Sequence, residues 1–127
     1  MGDVAMDITT EKIKDITVVR LAGRFDAYTA PAVKDKFLEL QAAGRVKIVV
    51  DLSAVDFVDS TGLATLVAGL KHCRQAGGDL KLAGLRSRVR VIFELTRLDR
   101  AFQIYENEAA ALSEFQGVDD VTQVRLS

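Results

Sequence analysis

The segment Val55-Asp56-Phe57-Val58-Asp59-Ser60-Thr61-Gly62-Leu63 joins a strand-like run to a helix-like one. Upstream, Val46-Lys47-Ile48-Val49-Val50-Asp51-Leu52 holds three consecutive β-branched apolar residues. A strand apolar on both faces suits the middle of a sheet covered by helices. Downstream, Leu63, Leu66, Val67, Leu70 and Cys73 recur at helical spacing, which predicts a helix from Ser60 or Thr61 to Ala76, stopped by Gly77-Gly78. Between strand and helix lies a predicted loop carrying Asp56 and Asp59, and at the helix start two hydroxyl residues. Such a hydroxyl is either an N-cap or a place where a phosphate adds charge to a defined surface.

Working towards the N-terminus, Gly44 ends a predicted helix that begins near Thr29 with Pro31 in its first turn. Ala30, Val33, Phe37 and Leu40 form its buried stripe. Before it, residues 6–12 and the β-branched run 16–21 predict a hairpin turning at Lys14-Asp15, with Gly23 ending the second strand. Towards the C-terminus, residues 79–83 predict a strand with Leu80 and Leu82 on one side. Residues 87–96 predict a helix burying Val89, Ile92, Phe93 and Leu95. A short strand over 102–105 and a helix over 108–115 with Ala111, Leu112 and Phe115 inward complete the pattern. The order β-β-α-β-α-β-α-β-α implies a mixed α/β fold of four or five strands with a parallel centre. Residues 1–116 read as one domain and 117–127 as a loose tail, because Gly117, Asp119 and Asp120 interrupt Val121, Val124 and Leu126.

Composition narrows the function classes. A chain that is 49% hydrophobic and 28% charged can build a core. The 17 basic and 18 acidic side chains nearly cancel, which gives no support for a nucleic-acid or anionic-membrane surface. No apolar run approaches a membrane span and no signal-peptide pattern is visible, so the expected location is the cytoplasm. Cys73 and His72 are the single cysteine and histidine, which argues against a Cys/His metal site or a disulfide framework. No cofactor is implied.

Catalysis finds little footing. Ser60 lacks a G-x-S-x-G turn, and His72 lies well along the predicted helix that Ser60 begins. Asp26, Asp51, Asp56 and Asp59 read as solvated carboxylates before they read as ion ligands. Gly77-Gly78 follows a helix, whereas a phosphate loop precedes one. Arg86, Arg88, Arg90, Arg97 and Arg100 read as a solvated basic face. Asp59-Ser60-Thr61-Gly62 stands out because it combines a serine with an acidic loop at the edge of a sheet.

That segment, taken from Asp56 to Leu63, resembles the phosphorylation motif of bacterial anti-sigma-factor antagonists, the single-domain proteins of the STAS type. Gly23-Arg24-Phe25-Asp26-Ala27-Tyr28-Thr29-Ala30-Pro31 resembles the family's G-x-[FLI]-D-x-x-[TS]-A-P segment, and Gly77-Gly78-Asp79-Leu80-Lys81-Leu82 its G-G-x-L-x-L strand. Val91–Thr96 is similar to the family's third helix. The resemblance covers roughly residues 6–115. It implies a STAS-like fold and a phosphorylation-controlled binding module, not an enzyme. Ser60 would be the phosphoacceptor, with Asp26, Asp59, Thr61 and Gly62 beside it on the partner surface. The implied partners are an anti-sigma factor with a histidine-kinase-like ATPase fold, acting as serine kinase, and a PP2C-type phosphatase. Unphosphorylated, such a protein binds the anti-sigma factor and releases the sigma factor. The competing readings are a STAS scaffold or sensory protein with another partner, and a small-ligand or nucleotide-binding domain. Arg97 stands where the family usually has Gly, so the turn at 97–98 is expected to differ.

Overall fold

A computed structural model describes residues 6–116. The chain opens with β1 (Asp7–Ile13) and β2 (Ile16–Phe25), joined by the two-residue turn Lys14-Asp15 and paired antiparallel. Helix α1 (Ala30–Ala42) leads to β3 (Lys47–Val58), which lies parallel to β2. Helix α2 (Ser60–Gln75), β4 (Asp79–Ala83), helix α3 (Ser87–Leu95), a 3-10 turn (Leu98–Arg100) and β5 (Ile104–Tyr105) follow. Helix α4 covers residues 108–116. The five strands run β1-β2-β3-β4-β5 across the sheet, parallel from β2 onward. The predicted element order is therefore the observed one. The predicted tail, residues 117–127, lies outside the described residues.

Alternation along the central strands feeds two apolar layers. Ile48, Val50, Leu52, Leu80 and Leu82 join Val33 and Phe37 of α1, Leu66 and Leu70 of α2, and Val89 and Phe93 of α3 in one core. The opposite pleats, Ile16, Val18, Val49 and Ala83, pack with Ala111 of α4, flanked by Leu112 and Phe115. That is why Ile48-Val49-Val50 is apolar without a break: each face of β3 is covered by helix. Ala30, Val33, Phe37 and Leu40 are the buried residues of α1, matching its stripe.

Lys81 falls on the α4 side and is only 5% exposed. Its ammonium lies 3.3 Å from Asp79 Oδ2, donates to Gln103 Oε1, and sits 4.6 Å from the Phe115 ring centroid. A salt bridge, a hydrogen bond and a cation–π contact together satisfy the buried charge.

Four local expectations are corrected. Gly23 does not end β2: with φ of +120° it sits at a register shift, and the strand continues to Phe25. Asp56 belongs to β3 and not to the loop, because that strand runs on to Val58. Leu95 is 79% exposed, because two residues past the buried Phe93 it falls about 200° around α3, on the face turned away from the sheet. The turn after α3 is the left-handed one that a glycine would take: Arg97 adopts φ 63°, ψ 13° itself.

Candidate functional site

The C-terminal ends of β2 and β3 lie side by side and put two loops together. The first, after β2, is tied to itself by Asp26 and Thr29. Asp26 Oδ1 accepts the N–H groups of Tyr28 at 3.0 Å and Thr29 at 3.2 Å. The Thr29 hydroxyl accepts the Asp26 N–H at 2.9 Å and donates to the Arg24 carbonyl at 2.6 Å. An Asp and a Thr in this pattern replace backbone pairing that a tight turn cannot make. Burial pushes the Asp26 carboxyl up, but the Tyr28 and Thr29 N–H groups, the Thr29 hydroxyl and Arg24 outweigh it and hold the acid below the usual carboxylate range.

The second loop is the single residue Asp59, between β3 and α2. Its N–H donates to the Phe25 carbonyl at 3.1 Å. Its Oδ1 accepts the Gly62 N–H at 3.0 Å and its Oδ2 the Ala27 N–H at 3.2 Å. Asp59, in extended conformation, is thus the N-cap of α2, and the same carboxylate staples the first loop to the second.

This corrects the reading of Ser60 as a cap. Ser60 is the first helical residue, exposed, and its hydroxyl makes no hydrogen bond among the described residues. Thr61 is exposed beside it, its carbonyl accepting the Thr65 hydroxyl at 3.0 Å. Gly62 is buried, because the first turn of α2 lies directly on β2: a Cβ there would stand 2.7 Å from the Phe25 carbonyl oxygen and 3.1 Å from Val58 Cγ1. Asp26 and Asp59 are brought together through Ala27, with Ser60 and Thr61 at the outer rim and Gly62 beneath.

The other candidate side chains are placed elsewhere. Asp56 is exposed on β3, and Asp51 binds the Ser53 N–H at 2.8 Å. His72 lies roughly 18 Å along α2 from Ser60, at a rise of about 1.5 Å per residue. That is too far for it to act as base. Burial, then the charge of Asp79, pushes the Cys73 thiol up to about 11, so it stays protonated and unreactive. Arg86 donates to the Ser53 carbonyl at 2.8 Å.

Two features of the surface were missed in the sequence. Tyr28 is 80% exposed at the tip of the first loop. An aromatic inside the polar turn Asp26–Thr29 was the available signal. An apolar groove of about 470 Å³ runs between α1 and α2, lined by Ala30, Pro31, Lys34, Leu38, Thr61 and Thr65 among others. It continues from the rim of the loops, and only the packing of the two helices creates it.

Fold and loops together define the class. The model of the STAS domain matches residues 7–111, and the chain belongs to the STAS domain family. Among its relatives, the anti-sigma-B factor antagonist of Listeria monocytogenes is 37% identical over 94 residues, covering 74% of this chain and 82% of that one. The anti-sigma F factor antagonist of Paenibacillus polymyxa is 29% identical over 114 residues, covering 89% and 97%. The crystal structure of an anti-sigma factor antagonist from Mycobacterium paratuberculosis matches with a TM-score of 0.81 at 28% identity, covering 89% of this chain and 96% of that one.

Proposed function

We propose that this protein is an anti-sigma factor antagonist whose binding is switched by phosphorylation of Ser60. The observation that carries the reading is the division of labour at the start of α2. Asp59 does the capping, which leaves the Ser60 hydroxyl exposed and without a structural task. A phosphate there changes the charge of the surface without removing a bond that holds the fold.

The partner is an anti-sigma factor with a histidine-kinase-like ATPase fold, which also acts as the kinase. In the transfer, the Ser60 oxygen bonds to the terminal phosphorus of ATP, the bond to ADP breaks, and a base on the kinase takes the hydroxyl proton. The unphosphorylated antagonist meets that partner through Asp26, Tyr28, Asp59, Ser60 and Thr61, with Gly62 setting the backbone beneath them. Binding releases the sigma factor, and a PP2C-type phosphatase hydrolyses phosphoserine 60 to serine and inorganic phosphate, which restores the unphosphorylated, binding form. The protein works in the cytoplasm as a binding module, with no catalytic residue of its own.

The test is incubation with ATP and the anti-sigma kinase of the same genome, followed by intact-mass and peptide analysis. One phosphate on Ser60 is the expected product. Phosphate on Thr61 alone, or none, would remove Ser60 from the centre of the mechanism.

A further inference from the structure

Ser60 adjoins the carboxylates of Asp59 and, through Ala27, Asp26, and Arg24 lies beside Asp26. Arg24 stands opposite Phe57 in the β2–β3 register, just past the shift that leaves Asp56 without a Cα partner. A bulge of this kind re-aims the side chains beside it. The guanidinium carbon of Arg24 lies 4.1 Å from the centroid of the Phe57 ring. Its Nε is 3.6 Å from Asp26 Oδ2, and the side chain is 61% exposed. Arg24 makes no side-chain hydrogen bond among the described residues. The guanidinium is therefore seated on an aromatic face with its donors largely unused, an arrangement suited to planar two-point recognition of an oxyanion.

Phe57 and Ser60 are separated by at most about 11 Å of extended chain. The 3.2 Å contact of the Ala27 N–H with Asp59 Oδ2 holds the Arg24–Thr29 segment against that turn. Resting on the reading of Ser60 as a phosphoacceptor, we propose that Arg24 is the phosphate-binding side chain of this surface. A phosphate at the Ser60 hydroxyl draws the guanidinium off Asp26. The single 3.6 Å contact is weak beside a charge-assisted, two-point pair with a near-dianion. Asp26 keeps its turn when this happens, because its other oxygen holds the Tyr28 and Thr29 N–H groups. The phosphate oxygens come either from phosphoserine 60 itself or from the terminal phosphate of the nucleotide on the kinase.

The two sources separate in experiment. Phosphoserine is installed at position 60 during synthesis of the full chain, and its second ionisation is followed by phosphorus NMR in wild type, Arg24→Ala, Arg24→Lys and Phe57→Leu. Pairing with the chain's own phosphate lowers that pKa in wild type by about half a unit or more relative to Arg24→Ala. Arg24→Lys and Phe57→Leu should fall between. Separately, the kinase is given unphosphorylated wild type and Arg24→Ala. Coincident NMR titrations with about tenfold slower phosphorylation of Arg24→Ala at saturating substrate assign the contact to the nucleotide phosphate. Coincident titrations with equal rates overturn the proposal. Failure of the kinase to modify wild-type Ser60, alongside a shifted titration of the installed phosphoserine, would sink the proposed function and leave the Arg24 pairing standing.

Discussion

The carbonyl oxygen of Phe25 leaves no room for a side chain on Gly62: a Cβ built there would lie 2.7 Å from it. The same carbonyl accepts the Asp59 N–H, so one backbone group of β2 sets both the cap and the first turn of α2. Gly62→Ala must push the helix start off the sheet and strain the Asp59–Gly62 bond. The expected loss is about 1–3 kcal/mol, by the usual cost of overpacking, read as a lower midpoint in urea. An unchanged midpoint would show that the helix start shifts freely.

Asp59 and Ser60 should respond oppositely to truncation. Asp59→Ala removes the cap and the bond to Ala27, at a cost of about 0.5–2 kcal/mol. Ser60→Ala removes an exposed hydroxyl without a partner and should stay within about 0.5 kcal/mol of wild type. Chemical denaturation of the two variants decides it. A larger loss for Ser60→Ala would restore the serine as the capping group.

Ser60→Asp separates stability from binding. The helix N-terminus favours a negative charge, so the variant should melt with wild type. One like-charge pair at an assumed distance of about 6 Å and effective dielectric of about 20 costs about 3 kcal/mol before screening. Binding to the anti-sigma partner should therefore weaken about a hundredfold by calorimetry, and less at high salt. Full-strength binding would show that charge at this position is not what the partner reads.

Arg97 carries a left-handed backbone, φ 63°, that a β-carbon disfavours. Arg97→Gly relieves that conformation but adds freedom to the unfolded chain, so the net gain should be about 0.5–1 kcal/mol. Thermal melts read it directly. A loss on substitution would mean that the Arg97 side chain contributes contacts that offset the strain.

Acid should loosen the first loop. The Asp26 carboxyl lies below its ordinary value of 3.8 in the folded chain, burial being outweighed by the Tyr28 and Thr29 N–H groups, the Thr29 hydroxyl and Arg24. A depressed folded pKa means the ionised form is the one that folding favours. Its stabilisation is complete above that value and is lost as pH falls through the folded pKa. Asp26→Asn should flatten that part of the acid limb by lowering stability at neutral pH, while matching wild type at acid pH where Asp26 is protonated. An identical acid limb in the variant would show that the Asp26 charge plays no part.

Local pattern was enough for the framework. The stripe Ala30, Val33, Phe37 and Leu40, and the unbroken apolar run Ile48-Val49-Val50, are legible because helix and strand periodicity are written into adjacent residues. The order of elements, the hairpin at Lys14-Asp15 and the position of Ser60 at the start of a helix follow from the same signals. What tertiary structure alone decided concerns contacts between distant segments. Asp59, Ser60 and Thr61 are all competent caps, and the choice of Asp59 depends on the Phe25 carbonyl and the Ala27 N–H supplied by the β2–α1 connection. Lys81 lies on the face of β4 opposite Leu80 and Leu82, and its burial depends on α4 closing over that face with Phe115. Arg97 takes a glycine's conformation because the chain must turn there to bring β5 beside β4, a demand made by the sheet and met at the expense of the residue.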